Sequence, residues 1–230
     1  MSYEIEKNFY IFDEKSIKEE LKNLNTDYTI YLLKTYKTKV NGLMVRLRDE
    51  GFRKTFTIKH KDKNSNYNKY NKEYEVNVSD IEGTLDMLQL LGFSDFKYSE
   101  KIRETYFYKK SEICFDYVPG QCNFLQIESK SQKELDYLIN KFNLINEDDS
   151  KKHAEYFGIN KEELNNIEIK YINIDKIKKL VKRNNEEFNE LIKHQKNMYN
   201  IIRNKNVSKN NKINKINKNK YKKNELIINE

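Results

Sequence analysis

Alternation of apolar and polar residues runs through roughly the first 130 positions and predicts antiparallel strands over 3–10, 43–48, 54–61, 73–78, 102–108, 112–117 and 123–128. Between them the apolar spacing lengthens to three and four residues, which predicts helices over 16–24, 79–91 and 131–141. Each helix has a start signal. Asp13 or Ser16 precedes Ile17, while Ser79 with Glu82 and Ser131 with Glu134 have the spacing of a capping box. Gly92 follows Leu91, where a helix should end, and Val118-Pro119-Gly120 reads as a tight reversal between two strands. Past Leu144 the pattern changes. A helix over 174–202 sets Ile177, Val181, Phe188, Leu191, Met198 and Ile202 in one stripe, interrupted by Asn184 and Gln195. Such a stripe either docks on the preceding domain or pairs with a second copy of the chain, as a homodimer. From 204 onward Asn, Lys and Ile repeat with too little apolar variety to offset ordering entropy, so disorder is expected. The chain thus divides into a folded domain over 1–145, a helical extension over 146–203 and a basic tail over 204–230.

Within the strands, charge keeps to one parity. Glu4 and Glu6 flank Ile5, Arg46 and Arg48 alternate with Val45 and Leu47, and Lys59 and Lys61 oppose Ile58. Glu73 and Glu75 alternate with Tyr74 and Val76, Lys101 and Arg103 flank Ile102, Asp116 follows Phe115, and Glu128 follows Ile127. Every strand therefore has an ionic face and an apolar face. A half-solvated sheet produces the same alternation. Here, however, like charges stand two residues apart on one face, where they repel unless opposite charge lies across from them. A barrel with its ionic faces inward meets that need and turns the apolar faces out under the helices. The lumen suits a triphosphate with a divalent ion. Arginine and lysine donors spread over phosphate oxygens, and a hard cation takes one or two carboxylates beside phosphate and water. Arg46, Arg48, Lys59, Lys61, Lys101 and Arg103 fit the first part, and Glu4 and Glu6 the second.

Composition changes this picture little. The net charge of +8 belongs almost wholly to the tail, where nine basic residues and no acid lie between Arg203 and Lys223. A tail of that kind binds nucleic acid through phosphates without sequence preference. Cys114 and Cys122 have no ligand or disulfide spacing, and His60, His153 and His194 lie far apart, which argues against a disulfide framework and a histidine-bound zinc. No apolar run has the length of a signal peptide core or a membrane span, so a cytoplasmic protein without membrane contact is expected.

Taken in order, the charged strands resemble those of the CYTH, or triphosphate tunnel metalloenzyme, family. Glu4-Ile5-Glu6-Lys7-Asn8 is similar to its Glu-x-Glu-x-Lys strand, Val45-Arg46-Leu47-Arg48 to its paired-arginine strand, and Thr57-Ile58-Lys59 to its Thr-x-Lys strand. Glu73-Tyr74-Glu75 and Lys101-Ile102-Arg103 match its Glu-x-Glu and Lys-x-Arg elements. Asp116 to Gly120 and Phe124 to Glu128 resemble a run seen especially in the class IV adenylyl cyclase-like branch. The resemblance implies an α+β fold: an eight-stranded antiparallel β-barrel, or tunnel, with helices packed outside, here followed by the helical extension. It also implies Mg²⁺ or Mn²⁺ held by Glu4, Glu6 and Glu128, with Lys59 and Arg103 joining these three in the catalytic set. The basic residues would grip the phosphates. Glu73, Glu75 and Asp116 would position a basic side chain, a second metal or the nucleophile. The implied substrate is a nucleoside, thiamine or inorganic triphosphate, hydrolysed by water or, with ATP, cyclised by the ribose 3′-hydroxyl. A catalytically weakened nucleotide- or polyphosphate-binding module and an RNA 5′-triphosphatase aided by the tail are the alternatives. Two positions depart from the motifs. Asn8 stands at the lysine position, with Lys7 one place early and turned out of the tunnel, and Gln126 replaces a glutamate. Each removes a charge, and weaker metal affinity is expected.

Overall fold

Fourteen residues dominated by Thr, Tyr, Lys and Leu before Asn41-Gly42 form the longest strand, β2 (Asp27–Val40), and it organises the sheet. The computed structural model describes residues 5–10, 13–61, 71–144, 161–181 and 185–204. β2 pairs with β3 (Leu43–Asp49) on one side and β6 (Lys97–Tyr108) on the other. Outward from β3 come β4 (Lys54–Lys61) and β5 (Asn71–Asn77). Outward from β6 come β7 (Ser111–Tyr117), β8 (Phe124–Ser129) and β1 (Ile5–Tyr10). The order is β1-β8-β7-β6-β2-β3-β4-β5, and every neighbouring pair is antiparallel.

The closed barrel expected from the sequence does not form among these residues. β1 and β5 are the two edges, and the sheet curls into a trough. Both edges present carboxylates to its inside, Glu6 from one and Glu73 and Glu75 from the other, and among the described residues no ladder joins β1 to β5.

The convex face is apolar and covered. Ile17 and Leu21 of α1 (Glu14–Asn23) and Leu135 and Leu138 of α3 (Gln132–Lys141) pack with Phe9, Ile102, Ile113, Phe115, Leu125 and Ile127 of the strands. Farther along, Val45 and Leu47 pack under Ile81 and Leu88 of α2 (Ile81–Leu90). Each such side chain buried contributes about 1.5–3 kcal/mol. The caps explain where the helices start. Asp13 accepts from the Ser16 amide, and Asp80, one residue past the expected Ser79, accepts from the Glu82 and Gly83 amides. Ser131 caps α3, but Glu134 reaches Lys110 and Ser111 instead of returning to the cap. One ionic cluster sits on this apolar side: Lys18 donates to Glu104 at 2.7 Å and to Tyr117 at 2.9 Å, joining α1 to β6 and β7.

The extension docks on its own domain. After α4 (Lys161–Asn165), Ile169 pairs beside Ser99 on the stretch of β6 that β7 does not cover, and the Glu100 amide donates to the Ile169 carbonyl at 2.6 Å. The Tyr171 hydroxyl donates to the Tyr117 carbonyl at 2.6 Å and accepts from the Ile102 amide at 3.4 Å. The continuous helix expected over 174–202 is broken. α5 (Ile174–Lys179) ends at Leu180, and α6 (186–204) restarts where the Asn185 side chain accepts from the Phe188 amide. Phe188, Ile192, Met198 and Ile202 of α6 are buried in the main core, so the stripe that would pair with a second copy covers the chain's own sheet. Gln195, fully buried, accepts from the Gly120 amide at 3.0 Å and donates to the Gln121 carbonyl at 2.9 Å. Gly120 has φ +71°, and a Cβ there would lie 2.4 Å from Ile177 Cγ2, so the turn admits glycine alone. The tail beyond 204 lies outside the described residues.

Candidate functional site

Because strand side chains alternate, the face opposite the core collects every second residue, and most of those that line the cavity are ionic. The trough has a volume of about 1230 Å³. It is lined by Glu6 and Asn8 of β1, Lys37 and Lys39 of β2, Arg46 and Arg48 of β3, Lys59 of β4, and Glu73 and Glu75 of β5. Lys101 and Arg103 of β6, Glu112 of β7, and Gln126 and Glu128 of β8 continue it, and Tyr31, Met44, Glu50, Arg53 and Tyr74 also reach it. Asp116 lies beneath them with no exposure. The structure therefore brings together every sequence-predicted site residue except two. Glu4 lies outside the described residues, as does the side chain of Lys61, the last residue of β4.

Two clusters of ion pairs hold the basic side chains. Asp116 accepts from Arg103 Nε and Nη2, both at 2.7 Å, and from Lys101 Nζ. Burial alone would raise the proton affinity of Asp116, but Arg103 and Lys101 hold its carboxyl down at about 2. Lys101 moves the other way: burial, then the neighbouring Arg103, push it down to about 8 despite Asp116. In the second cluster Glu73 accepts from Arg46 at 3.0 Å and pairs with Lys59 at 2.6 Å, while Thr57 donates to Glu75 at 2.9 Å. Glu73 and Asp116 thus contact basic side chains directly, and Glu75 lies 3.7 Å from both Arg46 and Arg53.

Three cations face the cavity with much less compensation. Among the described residues the nearest carboxylate oxygen to Arg48 belongs to Glu50, 3.9 Å away, and the buried Nε has no hydrogen-bond partner. Burial and the nearby charges of Arg46 and Arg103 push the guanidinium down to about 10. Lys37 is also lowered, by burial first and then by Lys39, Arg46, Arg48 and Lys97. Among the described residues neither Lys37 nor Lys39 has an ion pair. Both were missed by the sequence reading because β2 was. The run from Tyr28 to Val40, rich in β-branched and aromatic residues, is the signal that would have found it.

The acids gather opposite. Glu6 is the register partner of Glu128, and Glu128 of Glu112, so three carboxylates stand in a row across β1, β8 and β7. Burial raises the proton affinity of Glu128, and Glu6 and Glu112 add to the rise while Arg103 opposes it. Glu112 did not emerge from the sequence as a site residue. Both motif departures lie in the same region. Asn8 Nδ2 donates to Glu6 Oε1 at 3.3 Å, and Gln126 Nε2 donates to Glu128 Oε1 at 2.6 Å. The Gln126 amide oxygen accepts from Arg103, which occupies one of its lone pairs. Lys7 alternates with Glu6 and Asn8 and shares the convex face with the buried Phe9. Among the described residues no three acidic, histidine or cysteine side chains gather closely enough to hold a metal ion unaided. No described helix is long and apolar enough to cross a membrane.

The fold has solved counterparts. A Pyrococcus horikoshii OT3 protein aligns with a TM-score of 0.54 at 23% identity over 62% of this chain and 91% of its own. A protein titled a putative adenylate cyclase, from Vibrio parahaemolyticus, gives a TM-score of 0.52 at 14% identity over 62% of this chain and 87% of its own. A second P. horikoshii protein gives 0.51 at 22% identity over 64% of this chain and 93% of its own. At such identities the likeness is one of fold. A search of curated proteins finds no match. The CYTH domain family matches residues 7–156, which contain the whole curled sheet from Lys7 onward and α1 to α3. The chain belongs to the CYTH domain family.

Proposed function

We propose that the trough binds a triphosphate complexed with a divalent cation and hydrolyses it. The observation that carries this reading is Arg48, a largely buried guanidinium facing the cavity whose nearest carboxylate oxygen among the described residues is 3.9 Å away and whose buried Nε has no partner. A cation left so is costly unless an anion completes it. Lys37 and Lys39 extend the same basic surface along β2. Arg46, Lys59, Lys101 and Arg103, oriented by Glu73 and Asp116, would take the remaining phosphate oxygens.

The acid row fits a divalent ion in its donor chemistry. Glu6 and Glu128 are hard oxygen donors side by side, repelling one another until a cation lies between them, and Mg²⁺ needs only one or two carboxylates when phosphate and water fill its other positions. By the family resemblance Glu4 would join them. Bound there, Mg²⁺ or Mn²⁺ would neutralise charge on the phosphoryl oxygens. Phosphoryl transfer needs positioning and charge neutralisation more than covalent help, and the basic residues supply both. Hydrolysis is preferred to cyclisation because, among the described residues, the lining is charged apart from Tyr31, Met44, Tyr74 and the amides of Asn8 and Gln126, which gives a purine little apolar surface. A second reading, a binding module without turnover, is favoured by Asn8 at the motif's lysine position and by the engaged carbonyl of Gln126.

The deciding experiment incubates purified full-length protein with tripolyphosphate, ATP or thiamine triphosphate, with and without Mg²⁺ or Mn²⁺. Orthophosphate released only with metal supports hydrolysis, and cyclic nucleotide with pyrophosphate supports cyclisation. Binding without release selects the module. A folded protein that neither binds nor cleaves any of the three removes the proposal.

A further inference from the structure

Asn8 and Gln126, which look like two separate losses in the sequence, are direct register partners across β1 and β8, and the next inward-facing pair on those strands is Glu6 with Glu128. The four side chains make a rectangle. Along each strand the amide donates to the carboxylate, Asn8 to Glu6 at 3.3 Å and Gln126 to Glu128 at 2.6 Å. The orientation of Gln126 is dictated by its partners. Arg103 can only donate, so the amide oxygen must face it and the NH₂ must face Glu128. An amide at both positions has the same net charge as a lysine opposite a glutamate, so the two departures cancel in charge instead of adding.

Two carboxylates opposite one another on a sheet would rotate apart without restraint. Here one oxygen of each is held by an amide of its own strand, which leaves the other oxygen for the cavity. We propose that Asn8 and Gln126 form one unit of positioning residues that fixes Glu6 and Glu128 as a ligand pair for a divalent cation. The inference rests on reading the trough as a site for a metal-complexed triphosphate. It adds that metal affinity depends on the amides, whereas phosphate affinity does not.

The test compares calorimetric affinity for tripolyphosphate with and without Mg²⁺ in the parent, Asn8→Leu and Gln126→Met, with thermal midpoints as the folding check. Gln126→Met also strands part of Arg103, whereas Asn8→Leu removes only a 3.3 Å bond, so the second variant remains informative if the first folds poorly. Loss of a group that orients a metal ligand costs about 10- to 100-fold in metal affinity. The expected result for Asn8→Leu is a metal-free affinity within about twofold of the parent and a Mg²⁺-dependent gain reduced at least about tenfold. A gain that survives in both variants overturns the proposal, as does an equal loss with and without metal, which would mark the amides as general supports. A parent that binds tripolyphosphate equally well with and without Mg²⁺ overturns the ligand-pair role alone. A parent that binds under neither condition overturns the reading of the trough itself.

Discussion

Replacing Arg48 with methionine keeps a stem of similar length and removes a charge that the folded chain holds at a loss. Burial and the neighbouring Arg46 and Arg103 push the guanidinium down to about 10, and its nearest acid among the described residues, Glu50, is 3.9 Å away. That fall is worth about 3 kcal/mol against the charged form. That fall already includes the opposing attraction of Glu50 and Glu128, and the partial exposure of the side chain discounts it, so Arg48→Met should stabilise the fold by about 1–3 kcal/mol. For a chain of this size the thermal midpoint should then rise by about 2–12 °C. Function should move the opposite way. A charge-assisted hydrogen bond contributes about 1.5–3 kcal/mol, so tripolyphosphate affinity should fall about 10- to 100-fold. Thermal unfolding by circular dichroism and calorimetric titration read the two halves. A variant that melts lower than the parent, or that binds tripolyphosphate as tightly, refutes the idea that Arg48 is kept for an anion at the expense of stability.

Three further outcomes are expected. Asp116→Asn leaves Lys101 and Arg103 buried without their counter-charge, which should cost about 3–5 kcal/mol and lower the midpoint by about 6–20 °C. Since the Asp116 carboxyl is lowered to about 2 from 3.8, its stabilisation is complete above pH 4 and disappears as pH falls toward 2; denaturant titrations in acid should show about 2 kcal/mol of that loss in the parent and none in the variant. Lys101 sheds its proton near pH 8, so tripolyphosphate affinity should decline as pH rises from 7 to 10, and Lys101→Arg should flatten the decline in calorimetry. Gly120→Ala places a methyl 2.4 Å from Ile177 Cγ2 at a positive φ and should cost at least about 2 kcal/mol in urea unfolding, with part recovered by adding Ile177→Ala.

How much of this was legible beforehand depended on where each partner sat in the chain. β3, β4, β6, β7 and β8 were readable because ionic and apolar residues alternate within each, and the charged parity does face the trough. β2 escaped because Leu32-Leu33 breaks the alternation and Lys34 puts a charge on the other parity. The break between α5 and α6 was hidden since apolar positions keep step on both sides of Asn185, whose capping role depends on local backbone geometry. Glu104 sits on the apolar side of β6, and nothing near it in the chain signals that its partner is Lys18, 86 positions away. The pairing of Asn8 with Gln126 was invisible for the same reason, because it requires the register of the first strand against the last. Closure of the sheet was expected from the like-charged pairs on each strand face as well as from the resemblance, but neighbouring strands of the open sheet already supply the opposite charges, and strand alternation says nothing about whether two edges meet.

The central claim is that the trough is an anion site graded for a chain of phosphates. Calorimetric titration of the full-length protein with orthophosphate, pyrophosphate and tripolyphosphate, each with Mg²⁺ at one low ionic strength, tests it most directly. Affinity should climb with every added phosphoryl group, and Arg48→Met should remove most of the climb. Equal affinities across the series, or no heat from tripolyphosphate with a folded protein, would contradict the account.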